Sequence, residues 1–263
     1  MWSITNVGKS ILGSRAGRGA GVQNGNGKII ALWGAPGAGK TTLAVKLAKL
    51  LADKKKDVAL VLCDRTAPML PCLCGEDELL NPRSLGSLLV ARHPRESFIR
   101  YNAIQHKALK NLLIFSYLEG ESEGSYPPQT AEQCTELIHA LSGIASYVIV
   151  DCSSHIAGDL LSRTALTEAD CVLRLSGTDL KSRSYFASQN LAELDAYKQF
   201  LIASNTSTDN IPDWFGRVSH TLPTTMELAT QLASGNLLSE LTHKNSRAFT
   251  RELQGLCWEV CGI

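Results

Sequence analysis

The sequence has no apolar run approaching the ~20 residues that a membrane-spanning helix needs, which excludes a spanning helix and leaves peripheral membrane contact open. It also lacks an excess of either charge. Lysine and arginine total 26 against 25 acidic residues, a net charge of +1, so nothing global indicates contact with DNA or an anionic membrane. No internal repeat is present, and no second pair of metal-spaced thiols follows the Cys72-x-Cys74 pair, which therefore reads as a loop with two thiols rather than a zinc site. There is no signal peptide ahead of the eight cysteines. Because Cys63, Cys152 and Cys171 lie inside apolar runs, the thiols are expected to be reduced and mostly buried, as in a soluble cytoplasmic protein.

What is present divides the chain in two. Residues 1–27 hold seven glycines with Lys9, Arg15 and Arg18 and little that could bury a face, the composition of a flexible leader. Within it, Trp2, Ile4, Val7 and Ile11 share one helical stripe that could touch a membrane surface or a partner. From Lys28 to the end, short apolar runs alternate with helical patterns. The runs are Ile29–Trp33, Val58–Cys63, Leu112–Phe115, Tyr147–Val150, Cys171–Leu175 and Phe200–Ala203. Amphipathic spacing follows the first run, with Leu43, Leu47, Leu50 and Leu51 on one face, and recurs at 130–142, 157–168, 179–194 and 224–234. Strands alternating with helices predict an α/β fold in which a doubly wound, mainly parallel sheet is covered on both faces, over one domain at 28–263. At the end of the chain Phe249, Leu253, Leu256 and Val260 share a helical face whose other side lacks a lysine-rich band, and docking against the sheet is expected rather than binding to lipid.

Between the first apolar run and the first helix lies Gly34-Ala35-Pro36-Gly37-Ala38-Gly39-Lys40-Thr41, a full match to G-x-x-x-x-G-K-[ST] in the context that gives the motif its meaning. Glycines let successive backbone N–H groups turn toward one phosphate, and the helix N-terminus adds its dipole. On this reading Lys40 reaches the β- and γ-phosphates, Thr41 puts its hydroxyl on Mg²⁺, and Thr42 approaches the α-phosphate. The string Gly8-Lys9-Ser10 spells only the end of the motif, has no strand before it, and should bind nothing. A magnesium-nucleotide site also needs an acid across the cradle, and Tyr147-Val148-Ile149-Val150-Asp151 supplies one at a strand end. Asp64, which ends the second run, could orient an attacking water, join the metal shell, or be an exposed turn residue.

The loop, Asp64, Asp151, the strand entry Ala169-Asp170-Cys171-Val172-Leu173 and the late Leu222-Pro223 together resemble the ParA/MinD family of ATPases over about residues 28–260. The chain looks most similar to the CpaE/TadZ branch encoded with tight-adherence pilus systems. The resemblance implies an ATP- and Mg²⁺-binding switch with slow hydrolysis and a nucleotide-dependent homodimer. It further implies a protein partner from a pilus, secretion or partition system, at the inner face of the membrane where the protein is peripheral to it. It also implies a base contact for Asn205 and a place beside the adenine for Pro223. Two departures bear on turnover. The family's signature lysine follows the first loop glycine, where this chain has Ala35, and the usual Asp-x-Asp after the second strand is reduced to Asp64 followed by Arg65 and Thr66.

Other P-loop classes fit less well. An AAA+ enzyme would follow Asp151 with glutamate, and here the residue is Cys152; a GTPase would carry Asn-Lys-x-Asp, and Asn205-Thr206-Ser207-Thr208-Asp209 lacks the lysine. A small-molecule kinase would need an arginine lid, for which Arg92, Arg95 and Arg100 in 82–101 are the candidates, with a solvated helix face as the plainer alternative. The non-enzymatic alternative is an ATP-sensing module in which occupancy orders the loops near 64–81 and 152–159 without useful turnover.

Overall fold

In the computed structural model, the structure describes residues 27–189, 199–204, 206 and 211–263. The expected leader up to residue 26, its apolar stripe, the end of the helical pattern at 179–194, and Asn205 lie outside them.

The strands are β1 (Lys28–Gly34), β2 (Val58–Leu62), β3 (Leu79–Leu80), β4 (Ile104–His106), β5 (Leu112–Ser116), β6 (Tyr147–Asp151), β7 (Cys171–Ser176), β8 (Gln199–Ser204) and β9 (His220–Leu222). They form one sheet in the order β3-β4-β5-β2-β6-β1-β7-β8-β9. Every apolar run read from the sequence is a strand, and these six pair in parallel; only β3, β4 and β5 join antiparallel at one edge. The helices are α1 (Lys40–Asp53), α2 (Leu85–Leu89), α3 (Glu96–Asn102), α4 (Ala131–Ile144), α5 (Leu160–Glu168), α6 (Leu180–Ser188), α7 (Met226–Ala233) and α8 (Arg247–Cys261).

Strand pleating sends alternate side chains to opposite faces, and both faces are covered as a parallel sheet requires. Ile30 and Leu32 of β1 pack with Leu43, Leu47 and Leu51 of α1 and with Phe249, Leu253, Leu256 and Val260 of α8. Ile29, Ala31 and Trp33 face the other way, into a core with Leu85 and Leu88 of α2, Leu137 and Leu141 of α4, and Leu161 and Ala165 of α5. The stripe on α8 is thus core, as expected, while Trp258 on the same helix is 68% exposed. No helix among the described residues is long and apolar enough to cross a membrane.

One buried polar tie fixes the helix that follows the glycine loop. Lys46 of α1 is 4% exposed, and its ammonium donates to Gln231 Oε1 of α7 at 2.5 Å and to the Ser239 carbonyl at 2.7 Å. Burial pushes this lysine down to about 8, yet both contacts suit an ammonium donor. They lock α7 against α1.

Candidate functional site

The strand order puts β1 between β6 and β7, so the loop leaving β1 meets the chain leaving both neighbours at the carboxyl edge of the sheet. A Cβ on Gly34 would lie 2.1 Å from the Leu175 carbonyl oxygen, and only glycine allows β1 and β7 to approach this closely. Gly39 has φ 83° and serves as the N-cap of α1 in the left-handed region; α1 has no side-chain cap and no acid in its first turn. The first turn therefore presents its N–H groups with no carboxylate of its own to compete for them.

Lys40 and Thr41 project from that turn toward the end of β6. The Thr41 hydroxyl donates to Asp151 Oδ2 at 2.5 Å. Asp151 is 3% exposed, and its Oδ1 is buried and, among the described residues, has no hydrogen-bond partner. Burial raises its carboxyl to about 6, with Asp64 adding to the rise and the Thr41 hydrogen bond and Lys40 opposing it. A buried carboxylate oxygen without a donor, beside a hydroxyl, is a hard-oxygen pair that suits Mg²⁺. Lys40 is pushed down by burial, against the pull of Asp151, Cys152 and Asp64. Its ammonium donates to the Gly34 carbonyl at 3.3 Å, the Ala35 carbonyl at 3.5 Å and Ser154 Oγ at 2.5 Å.

A cleft of about 480 Å³ runs along this edge, and Pro36, Gly37, Gly39, Lys40, Thr41, Thr42 and Asp64 all line it. Asp64 Oδ1 caps its own turn, accepting from the Thr66 and Ala67 N–H groups at 2.9 and 3.0 Å, so the turn reading and the cleft reading hold together. Ser153, Ser154, His155, Thr66, Met69 and Leu232 complete the wall. Apart from Leu232 they fall in the two loops, near 64–81 and 152–159, that the sequence marks as responsive to occupancy, although no spacing singles out the individual residues. A second hollow of about 180 Å³ continues past Gly37, Ala38 and Thr42 to Leu175, Leu222, Pro223, Leu228 and Phe249. Pro223 thus lies in an apolar hollow beside the loop, while Ser204, the residue before Asn205, lines its edge.

The proposed lid does not reach the cleft. Residues 85–102 form α2 and α3, with Leu85, Leu88, Leu89 and Ile99 buried in the core on the face away from α1, and Arg100 pairs with Glu96 at 2.7 Å on an exposed surface. Arg100 on α3, Arg95 at its N-cap and Arg92 in the bend before it are all exposed, so the plainer, solvated reading holds. Cys74 meets Glu78 and His106 with ligand atoms within 4.8 Å of one another, a grouping hidden from the sequence by distance. His106 Nδ1 accepts from the Ala108 and Leu109 N–H groups, so the ring proton sits on Nε2 and points to Glu78 Oε2 at 3.4 Å. That polarity suits a histidine–carboxylate hydrogen bond better than a metal ligand, whose second nitrogen usually donates.

A glycine-rich loop between β1 and α1, with a basic and a hydroxyl residue in the first turn and an acid on the adjacent parallel strand, defines a P-loop nucleotide-binding fold. The chain belongs to the family described as the CobQ/CobB/MinD/ParA nucleotide binding domain, which it matches over residues 29–238. No curated protein matches it in sequence. Among solved structures it is similar to the ParA family ATPase from Chlorobium tepidum TLS, at 18% identity and a TM-score of 0.68 over 88% of this chain and 99% of that one. It is also similar to the cell division ATPase MinD of Pyrococcus furiosus, at 17% identity and a TM-score of 0.64 over 88% and 98%. MinD of Pyrococcus horikoshii OT3, solved with Mg-ADP, is 18% identical with a TM-score of 0.63 over 87% and 95%. At these identities the likeness speaks for the fold.

Proposed function

We propose that this chain binds Mg-ATP in the cleft between the glycine loop and the β6 end, and uses nucleotide state as a switch that positions or regulates a larger assembly. The observation that carries the reading is the meeting of Lys40 and Thr41 of α1 with Asp151 of β6, whose buried carboxylate oxygen lacks a donor among the described residues. In this reading the loop backbone from Ala35 to Thr41 binds phosphate, Lys40 neutralises its charge, Thr42 approaches the α-phosphate, and Pro223 packs beside the base. Thr41 and Asp151 would hold Mg²⁺, which when bound supplies positive charge to the phosphate oxygens. Asp64, which lines the same cleft, would orient water. Relatives solved with Mg-ADP and with AMPPNP support the ligand class, and a MinC:MinD complex supports an output through a protein partner. A pilus or secretion partner of the CpaE/TadZ kind, or a partition partner, is the assembly proposed, with an ATP-dependent homodimer as the active form.

Lys40→Ala tests the reading. Titration with a fluorescent ATP analogue and Mg²⁺ should show at least a tenfold loss of affinity; unchanged affinity would sink it.

A second reading, ATP sensing with little turnover, is favoured by position 35. Ala35 is fully buried, so this position presents no side chain to a partner's nucleotide. Steady-state phosphate release decides between the two: turnover in the wild type that falls in both Asp64→Ala and Lys40→Ala supports the ATPase, whereas a rate equal to that of Lys40→Ala supports the sensor.

A further inference from the structure

An ammonium has three N–H bonds, and the three acceptors of Lys40 account for all of them. Gly34 and Ala35 belong to the loop itself, but Ser154 belongs to the segment leaving β6. Ser154 Oγ also donates to the Gly34 carbonyl at 3.3 Å, so this one side chain closes the loop's lysine back onto its own backbone. Any anion that engages Lys40 must displace one of the three acceptors, and Ser154 is the one that is not fixed to the same loop.

What holds Ser154 there is a phenol. Tyr185 of α6 donates its hydroxyl proton to the Ser154 carbonyl at 2.8 Å and accepts from Trp33 Nε1 at 2.9 Å. Trp33 is the residue before Gly34, so the line of contacts begins and ends beside the glycine loop. Tyr185 is anchored by its neighbours: Phe186 stands edge-on at 5.2 Å and Trp33 lies at 6.3 Å, with the Arg174 guanidinium 4.2 Å above the Phe186 ring. Burial raises the phenol to about 12, so it remains a donor across the neutral range.

We propose that Tyr185 is a positioning residue that holds Ser154 on the Lys40 ammonium, so that Ser154 competes with phosphate for the lysine and α6 sets how readily the loop accepts nucleotide. This rests on the reading of Lys40 as the phosphate lysine. The device is a latch: the tighter Tyr185 grips the Ser154 carbonyl, the larger the share of Lys40 withheld from an incoming anion.

Tyr185→Phe removes the hydroxyl and keeps the ring packing; Ser154→Ala removes the acceptor. Tyr147→Phe is the control, because its hydroxyl donates to the Cys261 carbonyl at the far end of β6. The first readout uses no nucleotide: the rate at which acetyl N-hydroxysuccinimide ester modifies Lys40, followed by peptide mass spectrometry relative to exposed Lys55. Tyr185→Phe and Ser154→Ala should each raise this rate at least threefold, the double variant should match Ser154→Ala alone, and Tyr147→Phe should match the wild type. The second readout is Mg-ATP affinity, which should tighten three- to tenfold in both variants. A Lys40 rate in Tyr185→Phe equal to the wild type, or effects that multiply in the double variant, overturns the proposal. Should Tyr185→Phe melt early by circular dichroism, Ser154→Ala decides alone, and an unchanged Lys40 rate there is fatal. Equal Mg-ATP binding by wild type and Lys40→Ala defeats the nucleotide reading by itself, while the acetylation rates still judge the contact line.

Discussion

At the scale of single residues, Asp151 is where stability and ligand binding pull in opposite directions. Its carboxyl stands at about 6 in the fold against an ordinary 3.8. A folded value above the unfolded one means that its favourable contribution is complete below about pH 4 and is lost as pH rises through 6. For a fully buried group, a rise of this size corresponds to about 3 kcal/mol. Wild-type stability by urea unfolding should therefore fall between pH 4.5 and 7.5, and Asp151→Asn should flatten that slope; equal slopes would refute the assignment. Asp159, also buried and also pushed up by burial, contributes in the same direction and remains in both proteins. In Mg-ATP titrations the opposite trend is expected, with affinity weakening below about pH 6 as the carboxylate that would hold the cation becomes protonated. Lys40, Thr41 and Asp151 were legible in the sequence because each is marked locally, by the loop motif or by four apolar residues running into an acid. Tyr185 was not, since its role exists only through contacts with Trp33 and Ser154, 152 and 31 positions away.

At the scale of elements, the close approach of β1 to β7 and the seating of α8 are the features most open to test. Gly34→Ala would drive a methyl into the Leu175 carbonyl and force the two strands apart; a loss of at least about 2 kcal/mol in urea unfolding is expected. Leu256 of α8 is fully buried, and Leu256→Ala should cost about 2–5 kcal/mol. Trp258→Ala, on the exposed side, should stay within about 0.5 kcal/mol. If α8 were instead a lipid-binding helix, liposome flotation would depend on Trp258. The six parallel strands were readable because burial on both faces writes a continuous apolar run. The short strands β3, β4 and β9 were not, being two or three residues long and defined by their neighbours rather than by their own composition. Helices α2 and α3 were open to misreading as a lid for a related reason: clustered arginines advertise charge, whereas Leu85, Leu88 and Ile99 do the packing.

At the scale of the whole molecule, the family and the sheet were recoverable from the sequence because the strand–loop–helix order is itself the signature; the assembly it serves was not, since partner surfaces carry no motif of their own. Light scattering after size exclusion should show the mass doubling with Mg²⁺ and a non-hydrolysable ATP analogue, and no change for Lys40→Ala. A wild-type mass indifferent to nucleotide would remove dimerisation as the output. The placement of β1 between β6 and β7 also sets a timetable. Lys40 precedes Ser154 by 114 positions, so at roughly 5–20 residues per second the ribosome takes roughly 6–23 s to deliver the serine after the lysine. For most of that interval the glycine loop has neither neighbouring strand, nor Asp151, nor the contact to Ser154, since β6 ends just before the serine and β7 follows it. On the reading proposed above, a nascent chain that stops short of β6 holds the glycine loop and α1 but not the acid that would hold Mg²⁺.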